Sequence, residues 1–201
     1  MTGLTFVSDG EGDLRTTFGP VDVLAYIYAV FNSTEYRRRY EAQLKLDFPR
    51  VPAPRTTDLF SELVTVGRDQ LSLHLLESPR LVEVDSNFEG PEAPVVGRVG
   101  WSEGTVWLDA AKTNARQGYQ ATKPGSFGFH AVPEAVWRFH FGGYQVCHKW
   151  LKDRKGRALS DRDIAHYARI LKAIAESIHG MKKIDGVVES HGGWPDAFGP
   201  E

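Results

Sequence analysis

Residues 110–126 read Ala-Ala-Lys-Thr-Asn-Ala-Arg-Gln-Gly-Tyr-Gln-Ala-Thr-Lys-Pro-Gly-Ser and contain no acid. Lys112, Arg116 and Lys123 supply cations that can contact phosphates or guanine edges. Asn114, Gln117 and Gln120 supply planar amides, which read base edges in bidentate geometry, and Tyr119 offers a ring for stacking. A second basic run, residues 149–157, holds Lys149, Lys152, Arg154, Lys155 and Arg157 against the single acid Asp153. Together these side chains are the candidate contacts to a polyanion, with duplex DNA the expected partner. Each segment also has a plainer reading. The first could be an ordinary solvent-exposed loop, and cations at a helix end favour the helix dipole whatever they bind. The run Arg37-Arg38-Arg39 is a weaker candidate, because its arginines fan over different helix faces and Glu35 and Glu41 flank it.

Other chemistries lack their residues. There is no G-x-x-x-x-G-K-[ST] phosphate loop, no dinucleotide G-x-G-x-x-G and no G-x-S-x-G nucleophile elbow. The Asn/Asp-Pro-Pro-aromatic tetrapeptide with which amino-methyltransferases grip a flipped base is also missing. The seven histidines form no H-x-x-x-H pair, so no metal site is expected. Cys147 and His148 are neighbours on a helix, where successive side chains point about 100° apart, and they cannot form a nucleophile–base dyad. A small buried thiol is the reading for Cys147. No catalytic residue and no cofactor is therefore assigned to this chain.

Cys147 is the only cysteine, which excludes an intramolecular disulfide and suits a reducing, cytoplasmic setting. No run approaches the ~18 apolar residues of a membrane helix, and residues 1–13 do not read as a secretory signal. The formal charge of −2 is unevenly spread: −6 over residues 1–104, +8 over 105–183 and −4 over 184–201. A basic middle in an acidic frame fits one face presented to a polyanion.

Helices and a small sheet must position these residues. Pro20 suits a first helical position, and residues 21–31 are apolar almost all round, predicting a buried helix. Residues 35–44 predict a second helix. Prolines 49, 52 and 54 fix an extended linker, and a long helix follows from Thr57 or Asp58 to about Glu77. Residues 94–101 and 105–109 read as a hairpin, and residues 127–130 and 136–141 as two more strands. The acid-free segment 110–126 reads as a long loop. A helix over 144–153 and a longer one capped by Ser160 close the fold. The expected class is mixed α/β (α+β): a helical layer from both terminal thirds on a small, mainly antiparallel sheet from the middle third.

Residues 18–54, 59–78 and 132–185 resemble the C-terminal target-recognition (specificity) region of type ISP restriction-modification enzymes and related adenine-specific DNA methylases. The phrases that carry the resemblance are Asp47-Phe48-Pro49-Arg50-Val51-Pro52, Gly142-Gly143-Tyr144-Gln145-Val146 and Lys149-Trp150-Leu151-Lys152-Asp153-Arg154. The resemblance implies a non-catalytic domain that docks on a methyltransferase and helps choose a DNA sequence. S-adenosylmethionine and ATP would bind only in the rest of such an enzyme, and the specificity-setting segment would be the loops of the middle third. Residues 1–17 would be an extension, 18–185 the recognition domain and 186–201 an acidic, Gly-rich tail, flexible or else clamped by its two large apolar anchors, Trp194 and Phe198. Tyr144 and Trp150 would pack helix onto sheet. The alternative is an interaction module that docks on a methyltransferase or helicase chain through an uncovered apolar helix face.

Overall fold

The computed structural model describes residues 3–199, and the chain divides into two compact units. One takes in the chain up to residue 78 and again from 177, the other residues 79–176.

In the first unit two short strands, β1 (Thr5–Phe6) and β2 (Thr17–Phe18), pair in parallel ahead of helix α1 (Pro20–Asn32). Pro20 at the first position has no N–H to lose, and the buried Asp22 carboxylate accepts the Gly19 N–H at 2.8 Å, which closes the helix start. Ser33 caps α2 (Thr34–Arg39) by accepting the Tyr36 N–H, and α3 (Glu41–Leu44) follows. Thr56 caps α4 (Thr57–His74) in the same way through the Leu59 N–H. A Cβ at Gly67 would overlap the Ala25 carbonyl, so glycine is what lets α1 and α4 meet at backbone distance. Phe60, Leu63, Val30 and Tyr26 fill the space around that contact, each fully buried side chain contributing about 1.5–3 kcal/mol. The proline-rich linker is tied to this core by two hydroxyls: Tyr26 donates to the Pro52 carbonyl and Tyr36 to that of Arg50.

Helix α1 differs from expectation: Val21 and Leu24 are 42% and 54% exposed, because only one face meets α4.

The second unit begins with a 3₁₀ turn, Pro79–Leu81, and builds one six-stranded sheet. Its strands are β3 (Asn87–Glu89), β4 (Gly100–Ser102), β5 (Thr105–Trp107), β6 (Lys112–Asn114), β7 (Gln120–Lys123) and β8 (Gly128–His130). The spatial order is β3-β8-β5-β4-β7-β6, antiparallel throughout except for β4 beside β7. The expected hairpin around residues 102–104 is β4–β5. Two corrections follow in sequence order. The predicted loop 110–126 is a hairpin, β6–β7, with a 3₁₀ turn at Ala115–Gln117 between its strands. The strand predicted over 136–141 is a helical turn, α5 (Glu134–Trp137), followed by strand β9 (His140–Phe141), which pairs with β10 (Tyr144–Gln145) apart from the main sheet. Pro133 occupies the N-cap of α5, and Val136 and Trp137 turn inward while Glu134 and Arg138 stay outside.

Helix α6 (Val146–Lys152) comes next, and the chain then enters the 30-residue α7 (Asp161–Ser190). The predicted capping box is present: Ser160 Oγ accepts the Asp163 N–H, and Asp163 accepts the Ser160 N–H. Tyr167 of α7 is fully buried, with its ring 4.7 Å from Phe129 of the sheet and 5.1 Å from Trp150 of α6. The fold is mixed α/β with a mainly antiparallel sheet, as the sequence predicts. Of the two readings of the tail, the clamp by Trp194 and Phe198 is the one observed. Helix α7 runs through Asp185 to Ser190, and beyond it Ala197 and Phe198 are buried in the first unit's core with Trp194 stacked on Phe198.

Candidate nucleic-acid interface

Strand β6 ends the six-stranded sheet, so the β6–β7 hairpin is exposed along its outer side. Lys112 lies directly opposite Lys123 in the strand register, and both are exposed. Like charges facing each other across an antiparallel pair cost roughly 0.2–1 kcal/mol. No acid lies in the hairpin to offset this, and among the described residues Lys112, Arg116 and Lys123 form no ion pair through their side chains. The amides are divided. Asn114 is used inside the turn: its Oδ1 accepts the Arg116 N–H at 3.1 Å and its Nδ2 donates to Gln117 Oε1 at 2.9 Å. Gln120 is half-buried on β7.

Tyr119 is the joint between this hairpin and the next elements. Its ring stacks on the His148 imidazole of α6 at 3.4 Å between centroids and 10° between planes, so one of its two faces is already covered. The Gly118 carbonyl beside it accepts the indole N–H of Trp137 at 2.8 Å and, more weakly, the Gln145 amide at 3.4 Å. Gln145 also donates to the Trp137 carbonyl at 2.7 Å. Burial and the nearby Lys152 cation push the His148 pKa down to about 4, so the stacked imidazole is neutral near pH 7. Cys147 is fully buried and its thiol is pushed up to about 12 by burial, in keeping with an inert core thiol.

A family model for the type ISP C-terminal specificity domain matches residues 5–183. The chain belongs to that family. Among solved structures, the fold is similar to part of a nuclease-deletion mutant of the type ISP restriction-modification enzyme LlaGI in complex with a DNA substrate mimic. That match has a TM-score of 0.52 and 18% identity, and it covers 84% of this chain and 14% of that one. The ATP-dependent type ISP enzyme LlaBIII bound to DNA matches with a TM-score of 0.53 and 17% identity, over 83% of this chain and 11% of that one. The DrdV–DNA complex gives 0.53 and 18%, over 82% and 18%. The specificity domain thus spans only 11–18% of the length of these chains. A search of the curated proteins found no match.

Within the specificity domain, the second basic run is arranged differently from the hairpin. Arg154 lies over the Trp150 ring at 3.5 Å and donates to the Trp150 carbonyl at 3.0 Å, with Asp163 3.9 Å away. Arg157 donates twice to the same Asp163 carboxylate, and Lys149 is paired with Asp153. Lys152 and Lys155 are exposed and make no ion pair among the described residues. Trp150 packs on His166 and Tyr167 of α7, helix against helix rather than helix onto sheet, and Tyr144 is 64% exposed on β10. Nothing in the sequence around Tyr119 could have shown its stacking partner, which lies 29 residues away in α6. No helix among the described residues is long and apolar enough to cross a membrane.

Proposed function

We propose that this chain is the non-catalytic DNA-recognition part of a restriction-modification enzyme, and that the β6–β7 hairpin carries the contact to duplex DNA. The observation that carries this reading is the acid-free edge hairpin with Lys112 set against Lys123, an arrangement that a phosphate between them would stabilise. Arg116 extends the same positive tip, while Gln117, whose Oε1 accepts from Asn114, and the half-buried Gln120 would turn their amides to base edges. Lys152 and Lys155 would flank it as backbone contacts, whereas Lys149, Arg154 and Arg157 are held by Asp153 and Asp163. S-adenosylmethionine, ATP and catalysis would belong to other portions of a longer enzyme, in agreement with the missing nucleotide-binding and methyltransferase motifs.

The test is fluorescence anisotropy of the full chain with random-sequence duplex DNA over a salt series. The expected result is binding that weakens linearly in log affinity against log salt, and that falls at least tenfold in Lys112→Glu/Arg116→Glu. Equal binding by the variant would remove the hairpin from the interface. A second reading has its own observation: Val21 and Leu24 leave an apolar strip of α1 uncovered, which would suit docking on the rest of an enzyme. A chain that stays monomeric in light scattering at high concentration would argue against an adhesive strip.

A further inference from the structure

Strands β9 and β10 form a two-stranded hairpin whose tip is Phe141-Gly142-Gly143-Tyr144. Phe141 and Tyr144 are register partners, so both rings leave the ribbon on the same face, and they are 50% and 64% exposed. Between them the backbone is bare. A Cβ on Gly142 or on Gly143 would meet nothing within 4 Å, and only Gly142, at φ +57°, needs glycine for its conformation. The fold itself therefore gives no reason for Gly143 to lack a side chain.

Just behind this open tip the ribbon is rigid. Gln145, buried, bridges the carbonyls of Trp137 and Gly118, and the Val146 N–H donates to the Phe139 carbonyl. The same Gly118 marks the turn of the β6–β7 hairpin, so the two hairpins share one anchor. Two lysines of α6 lie nearby, one of them, Lys149, paired with Asp153. Lys149 sits 5.9 Å from the Tyr144 ring centroid, and Lys152 lies one helical turn on. The nearby acids, Glu134 and Asp153, are already paired with Arg138 and Lys149.

Two co-facial aromatic rings on a thin tip anchored from behind, with lysines beside it, match the chemistry that apolar wedges use on DNA, where rings enter a base step and lysines hold the flanking phosphates. We infer that the β9–β10 tip is a second DNA-contacting element, in which Phe141 and Tyr144 stack on nucleobases at a locally unstacked step and Gly143 allows the backbone to approach. This rests on the recognition function proposed above, and it adds residues that the basic and amide pattern does not mark.

The experiment compares the full chain with Phe141→Ala/Tyr144→Ala and, separately, Gly143→Val. Anisotropy is read on a 20-base-pair duplex and on the same duplex with one central mismatch. A mismatch is already partly unstacked, so the wild type is expected to bind it more tightly than the matched duplex. The double variant should lose that preference and bind the mismatched duplex at least about fivefold more weakly, since base–aromatic stacking is worth about 1 kcal/mol or more per base. Gly143→Val, whose Cβ meets no neighbour within 4 Å, should keep a thermal midpoint close to that of the wild type and still weaken binding. Wild-type binding that is lost in Lys112→Glu/Arg116→Glu but unchanged in both tip variants would overturn the wedge alone, and is the result expected of a tip that docks on protein. No binding by the wild type at low salt would overturn the recognition reading and the wedge together.

Discussion

In the β6–β7 hairpin, Lys112, Arg116 and Lys123 form no ion pair among the described residues, whereas in residues 149–157 Asp153 takes Lys149, and Asp163 takes Arg154 and Arg157. As strings of letters the second segment is the more basic. As side chains in space, much of its charge is spent on closing the turn between α6 and α7 and on holding the Trp150 ring. What separates them is topology. An edge hairpin offers its cations no neighbours, while a tight interhelical turn beside the first residues of α7 meets the acids that helix N-termini favour. The number of lysines and arginines in a segment is thus a poor guide to how many remain available to a ligand.

The widest gap between the two segments should appear in their salt dependence. Replacing Lys112, Arg116 and Lys123 together by glutamine should lower the slope of log affinity against log salt by nearly 3, and weaken binding by about two to three orders of magnitude at 0.1 M salt. Replacing Arg154 and Arg157 by glutamine should leave the slope nearly unchanged and instead lower the thermal midpoint. A slope that drops by two in the second variant would erase the distinction.

Next in size is the joint between the segments, the Tyr119–His148 stack. The folded His148 pKa of about 4 lies below the ordinary histidine value of about 6.5, so the unfolded chain takes up the proton first. Its contribution is complete above pH 6.5 and is lost as the pH falls toward 4, by about 3 kcal/mol in all. Urea unfolding at pH 7 and pH 4.5 should show a smaller loss in His148→Phe than in the wild type. Burial also lowers the His74 pKa, and that part of the acid response should persist in the variant. Identical pH responses in the two proteins would mean that His148 is not the group that titrates.

The smallest effect concerns the facing lysines. Lys123→Glu turns a repulsive cross-strand pair into an attractive one and should raise stability by about 0.5 kcal/mol while weakening DNA binding. A variant that gains stability and keeps its affinity would separate Lys123 from the interface.

What the sequence made legible tracks how local the signals are. The Ser160–Asp163 cap and the turn at residues 102–104 each rest on residues within a few positions of one another, and each is present. The β6–β7 hairpin was hidden because its two strands bury only one side chain, Ala121 on β7, and so show almost no alternation of apolar and polar residues. Residues 136–141 look like a strand in composition, yet Pro133 starts a helical turn there and burial of Val136 and Trp137 holds it. The basic character of the candidate site could be read directly. Which cations are neutralised could not, because Asp163 reaches Arg154 and Arg157 only once α6 and α7 are in place.

As the last strand of its sheet, β6 leaves one row of backbone N–H and C=O groups without a neighbouring strand, an invitation to pair with the same edge of another molecule. Lys112 on that strand, seconded by Lys123 behind it, is the kind of residue that deters such pairing. The charges that favour a phosphate therefore double as a guard against aggregation, and stripping them exposes an adhesive edge as well as removing a ligand contact.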